Sequence, residues 1–371
     1  MTSLFSHSYE ERWLLALLCG KISMRPMRLT AIQSSYLSLL QAFEDHFSAF
    51  DVKDHTWVKK LRSFNWVEEY HLLQQNCEKH NIQIVTVLDQ HYPTNLNILE
   101  DQPLVLYFQG NIELLQQTSE MVTVVGSRNF SRYSEMVMKH ILVPACSRGV
   151  GVVSGLALGI DGLSHQIALE SGAATIAVIG SGIDTVSFYP TQNIPLARQI
   201  VESNGLILSE YQPGTKATQF NFPRRNRILA ALTSLTWVVQ AGIKSGTLIT
   251  AKLAQELGKH VAVTPGSILE SSMAGSLQLL KDGAQIISES DDILSLLGFS
   301  ALPFTQVERL KNFSSFEEQQ VYETLSLTPR LADTIGQQLG VEIYTLSMHL
   351  TMLEMNGLAV NVGENLWVRG F

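Results

Sequence analysis

VVSGLALGIDGLSHQIAL, residues 152–169, holds the change of rhythm on which the fold turns. Residues 150–154 form a short apolar, β-branched run. A loop with Ser154, Gly155, Gly159 and Asp161 follows, and a helical pattern takes over at 161–172. The same alternation extends in both directions. Apolar runs recur at 121–125, 175–179, 206–209, 235–239, 261–264 and 284–287. Helical patterns stand between them at 133–148, 193–203, 224–233, 246–257 and 274–281. Strands that are apolar almost throughout and separated by helices belong to a parallel sheet buried on both faces. The reading is a doubly wound, mainly parallel α/β sheet. Pro144 lies inside the first helical pattern, which predicts a kink or an early end there.

Outside this region the pattern differs. Residues 1–75 read as helical, with apolar residues at helical spacing over 13–18 and 37–47. Strand candidates at 82–88 and 104–108 flank a turn-rich stretch. Near the other end, helical patterns at 316–325, 331–339 and 343–355 precede a hairpin over 358–370, the pattern of a winged helix. The expected division is a helical domain over 1–75, the sheet domain over 80–298, a linker over 299–313 and the winged helix over 314–371.

Composition narrows the function. The chain has 371 residues, room for two or three domains of about 100–200 residues. Hydrophobic residues make up 45% and charged residues 16%, a globular balance. The apolar run at 13–19 is too short to cross a bilayer, so no membrane span is expected, and no stretch resembles a signal peptide. Cys19, Cys77 and Cys146 are widely spaced and suggest neither a disulfide framework nor a zinc site, which makes the cytoplasm the simplest location. The net charge is −8, so an anionic partner must be held by a local patch.

Ligands of open α/β sheets sit beyond the carboxyl ends of the strands. Gly126-Ser127-Arg128 follows the run at 121–125, and Ser154-Gly155 closes the run at 150–154. Gly180-Ser181-Gly182 follows the run at 175–179, and a loop with Gly242, Lys244, Ser245, Gly246 and Thr247 follows that at 235–239. Helix N-termini present unbonded N–H groups to anions, and glycine allows close approach. One such loop is also an ordinary βα turn; four along one rim suit a phosphate chain. There is no GxGxxG, ordered P-loop, HExxH or GxSxG motif, so no cofactor, metal or catalytic residue is expected. Asp161 and His165 share a helix face, either as an acid–base pair or as a cap beside a packed histidine.

The stretch NFPRRNRILAAL, 221–232, concentrates Arg224, Arg225 and Arg227 after Phe222 and Pro223. Pro223 is expected to precede a helix whose first turn carries the arginines, where the helix dipole is unfavourable to cations. Either carboxylates such as Glu210 pair with them, or they await an anion. Guanidinium forks fit phosphate oxygens, and a phenyl ring suits an unstacked base. Arg128 and Lys244 extend the same groove, with Arg132 a weaker addition. The expected nucleic-acid set is Gly126, Ser127, Arg128, Ser154, Gly155, Gly180, Gly182, Phe222, Arg224, Arg225, Asn226, Arg227, Lys244 and Ser245.

The ordered blocks VVGSR (124–128), VVSGLALGIDGLSHQIAL (152–169), TIAVIGSGID (175–184), LSEYQPGT (208–215), NFPRRNRI (221–228), KSGTLITA (244–251) and VTPGS (263–267) resemble the DprA or Smf family of DNA-processing proteins. LDQHYPTNLNILEDQPLVLYFQGN (88–111) resembles the segment preceding that family's Rossmann-like domain. The likeness spans about residues 80–295. It implies a Rossmann-like fold between a SAM-like helical module and a winged helix. It also implies single-stranded DNA binding, homodimers and loading of the RecA recombinase during natural transformation, without enzymatic activity. The family's DNA pocket uses positions matching Arg128 and the segment from Phe222 to Arg227. The chain departs from the family pattern at Leu158, where arginine is common, at Gln240, where glutamate is usual, and at Leu277, where asparagine is usual. A nucleotide-binding or nucleoside-monophosphate phosphoribohydrolase-like enzyme is the alternative reading. The winged helix is expected to contact protein or to pack on its own core, because its predicted recognition helix, 342–355, carries neither Lys nor Arg.

Overall fold

The computed structural model describes residues 9–299 and 313–370, apart from 23, 52–55, 64, 314, 327 and 357. Contacts divide the chain into two units, Met1–Ser300 and Ala301–Phe371. The first opens with helices α1 (Tyr9–Lys21), α2 (Pro26–Ser35), α3 (Leu39–Glu44), α4 (Thr56–Arg62) and α5 (Trp66–Lys79). An antiparallel pair follows, β1 (Gln83–Thr86) and β2 (Val105–Gly110). Then comes the alternation β3 (Met121–Val125), α6 (Arg132–Ser147), β4 (Gly151–Ser154), α7 (Ile160–Glu170), β5 (Thr175–Ile179), α8 (Ile194–Glu202) and β6 (Leu206–Ser209). It continues through α9 (Asn221–Leu232), β7 (Leu235–Val238), α10 (Thr247–Glu256), β8 (His260–Val263), α11 (Ala274–Lys281), β9 (Gln285–Ile286) and α12 (Ser290–Leu297).

The nine strands form one sheet in the order β1-β2-β6-β5-β4-β3-β7-β8-β9. It is parallel from β6 to β9, and β1 and β2 extend it antiparallel at one edge. Every residue of β3 to β7 is buried, as continuous apolar runs require. Alternate side chains feed opposite faces. Val122 and Val124 pack with Met138 and Ile141 of α6, while Met121 and Val125 pack with Ile228 of α9 and Ala251 of α10. β3 leads its chain toward β4, and β7 leads toward β8 on the other side. The strand order reverses between them, which places the ligand crevice at this rim.

Three expectations change. Leu14, Leu17 and Leu18 of α1 share one apolar cluster with Ile84, Tyr107 and Ile207, so the N-terminal helices and the sheet form one unit. Burying each such leucine contributes about 1.5–3 kcal/mol, which favours the shared core. Helix α6 runs through Pro144 to Ser147. Proline removes one N–H, but burial of Ile141, Leu142, Ala145 and Cys146 holds both sides of it. Helix α9 starts at Asn221, so Pro223 lies in its first turn, where a missing N–H leaves no helical bond unmade.

The second unit contains α13 (Phe316–Thr324), β10 (Arg330–Leu331), α14 (Ala332–Leu339), α15 (Ile343–Met355), β11 (Ala359–Asn361) and β12 (Leu366–Arg369). Its sheet has the order β10-β12-β11, a winged-helix arrangement around Val321, Ile335, Leu346, Leu350 and Trp367. The short strand β10 was not expected from the sequence. The linker expected over 299–313 lies outside the described residues except at its two ends. Among the described residues no helix is long and apolar enough to cross a membrane.

Candidate nucleic-acid interface

The loop after β3 carries Arg128 to the rim, with its guanidinium 5.4 Å from the centroid of the Phe222 ring. Phe222 sits in the first turn of α9 and meets Tyr189 with ring centroids 5.7 Å apart. These three side chains line one pocket with Gly155, Ala157, Leu158, Gly180, Pro190 and Arg225. Asn221 fixes the start of α9 here, donating from Nδ2 to the Gly180 carbonyl at 3.0 Å. The glycines are structural necessities. A Cβ on Gly155 would stand 2.5 Å from Asp161 Oδ2 and 2.6 Å from the Arg225 guanidinium. Gly159 has φ +87°, and a Cβ there would stand 2.6 Å from Arg128 Cα.

The structure separates the three arginines. Arg225 is 5% exposed and lines the pocket. It donates from its guanidinium to the Gly155 carbonyl at 2.7 Å and to the Val178 carbonyl, and from Nε to Asn226 Oδ1 at 3.2 Å. Arg227 is 6% exposed and turns toward carboxylates, 2.7 Å from Glu210 Oε1 and 3.0 Å from Asp101 Oδ1. Arg224 is half-exposed and reaches the same Glu210 oxygen at 3.1 Å. The expectation that all three face one groove is therefore corrected: the pocket is lined by Arg225 and Arg128, while Glu210 and Asp101 draw Arg227 away. Glu210 pairs with Arg224 and Arg227, as the carboxylate reading expects, while Arg225 is held by backbone carbonyls.

Several expected hydroxyl and amide donors are already bonded. Ser154 donates to the Val124 carbonyl at 2.7 Å, and the Ser127 hydroxyl donates to the Asn129 carbonyl at 2.6 Å. The N–H of Gly182 donates to the Thr215 carbonyl at 2.9 Å. Ser245 accepts from the Thr247 N–H at 3.2 Å, as a helix-start residue does. A Cβ on Gly126 would strike Ile160 at 2.6 Å, so this glycine serves close packing. Lys244 is exposed in the loop after β7 and does not line the pocket.

Gln240 organises the loop that bears Arg128. Its Oε1 accepts from the Ser131 N–H at 2.9 Å and from the Ser134 hydroxyl at 2.6 Å. Its carbonyl accepts from the Ser127 N–H at 2.9 Å. Asp161 and His165 do not bond to each other. Burial raises the Asp161 pKa against the pull of Arg225. His165 is fully buried and meets Thr175 Oγ1 through Nδ1 at 2.7 Å; burial, aided by Arg225, depresses its pKa to about 3. It is a packed neutral histidine. Sequence reasoning missed Tyr189, Leu158 and Pro190 in the lining and Asp101 as a partner. Asp101 lies in an irregular stretch far from α9, with no periodicity to signal the contact.

This geometry defines a class: a doubly wound sheet whose rim carries a stacked guanidinium and phenyl over a glycine floor, with a winged helix appended. Residues 83–298 match the family model of DNA recombination-mediator protein A, and residues 314–364 match the DprA winged helix domain. The chain belongs to the DprA/Smf family. It is 39% identical over 214 residues to the DNA processing protein DprA of Streptococcus pneumoniae, covering 58% of this chain and 74% of that protein. It is 33% identical over 289 residues to protein Smf of Escherichia coli, covering 76% and 75%. Among solved structures, DprA from S. pneumoniae aligns with TM-score 0.61 at 31% identity, over 76% of this chain and 97% of that one. DNA processing protein A from Helicobacter pylori, described with a single-stranded DNA binding mode, aligns with TM-score 0.52 at 33% identity, over 58% and 95%.

Proposed function

We propose that this chain binds single-stranded DNA across the rim pocket of Arg128, Tyr189, Phe222 and Arg225, acts as a homodimer, and helps to load a RecA recombinase in transformation and recombination. The observation that carries the DNA reading is the Arg128 guanidinium over the Phe222 ring, beside a floor of bare backbone at Gly155 and Gly180. A planar cation and a ring accept a phosphate and an unstacked base side by side, and a duplex keeps its base faces hidden. Membership of a DNA-processing family and the single-strand binding described for the H. pylori protein support the same reading.

The test is fluorescence anisotropy of labelled single-stranded and duplex oligonucleotides across a salt series. The single strand is expected to bind more tightly. Arg128→Ala is expected to weaken it at least about tenfold and to flatten the slope of log K against log salt by about 0.7 for a lost phosphate contact. Phe222→Ala is expected to cost about 1–3 kcal/mol through lost stacking. Equal affinity for duplex and single strand, or an Arg128→Ala variant that binds like the parent, would overturn the reading. Sedimentation tests the homodimer, and RecA-dependent strand exchange on protein-coated single strands tests loading.

A further inference from the structure

The winged-helix unit carries a second surface unrelated to the rim pocket. Helix α15 buries Leu346, His349, Leu350 and Leu353 in its own core. Its opposite face is also apolar: Tyr344 is 84% exposed, Met348 53%, Met352 40% and Met355 79%. These residues follow at steps of four, four and three, so they form one stripe. Stripes of this kind on a surface mark interaction sites, and methionine suits a face that must adapt to another side-chain pattern.

Charge identifies the occupant. Glu342 precedes the stripe at the start of the helix, and Glu354 stands beside its last member, Met355, in the last turn, where its Oε1 accepts from the Asn361 N–H at 3.2 Å. Neither these two nor Glu364, at the wing turn, has an ion pair among the described residues. The described basic side chains of this unit, Arg330 and Arg369, are held inward. Arg330 donates to the Thr324 carbonyl at 2.9 Å, and Arg369 to the Glu323 carbonyl at 2.8 Å. An apolar stripe beside carboxylates that no cation neutralises among the described residues repels phosphate backbones and anionic lipid alike. It complements a helix with one apolar face and a lysine- or arginine-rich flank. We propose that the exposed face of α15, from Tyr344 to Met355, is the docking surface for a basic amphipathic helix of a partner protein.

The test uses the full chain and a labelled synthetic helix of roughly five turns, with leucine on one face and lysine on the other. A second probe replaces every lysine with glutamate and keeps the leucines. The lysine probe is expected to bind the parent chain and the glutamate probe to give no binding. The substitutions Met348→Ser, Met352→Ser and Met355→Ser together leave the net charge unchanged and are expected to weaken the lysine probe at least tenfold. Glu342→Gln with Glu354→Gln is expected to weaken it more at low salt than at high salt. Thermal unfolding of each variant reports whether the fold is kept, and the charge variant tests the proposal independently of the methionine set. Binding of the lysine probe that is the same in the parent and the serine variant reduces the effect to net charge and overturns the proposal. So does binding of both probes or of neither. Self-association of the parent that the serine variant abolishes, without probe binding, assigns the face to a second copy and also overturns it.

Discussion

Arg128 lines the rim pocket and Arg227 is drawn away from it, so their loss is expected to show in different measurements. Arg227 is buried between Glu210 and Asp101, so Arg227→Ala leaves Glu210, with 13% of its side chain exposed, without its closest cation. Breaking a buried pair from one side costs about 3–5 kcal/mol, so a marked fall in thermal midpoint is expected, with DNA affinity lost only as the fold is lost. Arg128 is exposed, and its removal is expected to spare the midpoint and lower affinity. A chemical denaturation curve beside a binding isotherm for each variant separates the two roles. Leu158, 39% exposed at the pocket lip, permits the opposite experiment. Leu158→Arg places a cation beside the proposed strand path and is expected to tighten binding and steepen the salt slope by about 0.7; an unchanged slope would place the strand elsewhere. His165 yields a pH prediction. Its folded pKa of about 3 lies below the ordinary 6.5, so the unfolded chain binds its proton first. The stability this residue contributes is complete above about pH 6.5 and is lost as pH falls toward 3, at up to about 1.4 kcal/mol per pH unit. Urea denaturation at several pH values is expected to show this slope in the parent, and His165→Gln to remove most of it.

Elements were legible to different depths. The strands β3 to β8 stood out because a strand buried on both faces must be apolar at nearly every position, leaving a dense local signal. Their register and the antiparallel joining of β2 to β6 are non-local and left no trace in any single stretch. The start of α9 was misplaced because Pro223 reads as a boundary, whereas the bond from Asn221 to Gly180 lets the helix begin earlier. The loops at the rim were recognisable from glycine and arginine directly after the strands. Which arginine turns inward was not, because that choice belongs to Glu210 and Asp101 on other elements. Gln240 shows how one element sets another. It joins the end of β7 to the loop after β3 and the start of α6 through Ser127, Ser131 and Ser134. Gln240→Leu leaves buried donors without an acceptor, a cost of about 1–3 kcal/mol, and releases the loop bearing Arg128. The expected outcome is lower stability together with a several-fold loss of single-strand affinity. Intact affinity in that variant would show that the loop holds its position without the glutamine.

Across the whole molecule, a net charge of −8 and a proposed polyanionic ligand coexist because field is local: the cations that matter stand on one rim, within about a Debye length of the pocket. All residues of the pocket belong to the unit Met1–Ser300, which has its own apolar clusters, and none belongs to Ala301–Phe371. The described part of the second unit holds seven carboxylates against two guanidinium groups, and both guanidinium groups bind its own carbonyls. A module of that charge opposes phosphate wherever it lies. Removing residues 301–371 is therefore expected to leave single-strand affinity within about twofold of the full chain at physiological salt, and to tighten it slightly at low salt, where screening is weakest. Parallel anisotropy titrations of both chains, with circular dichroism to show that the shortened one is folded, decide the matter. A tenfold loss on truncation would mean that the winged helix holds DNA directly, against the excess of carboxylates among its described residues.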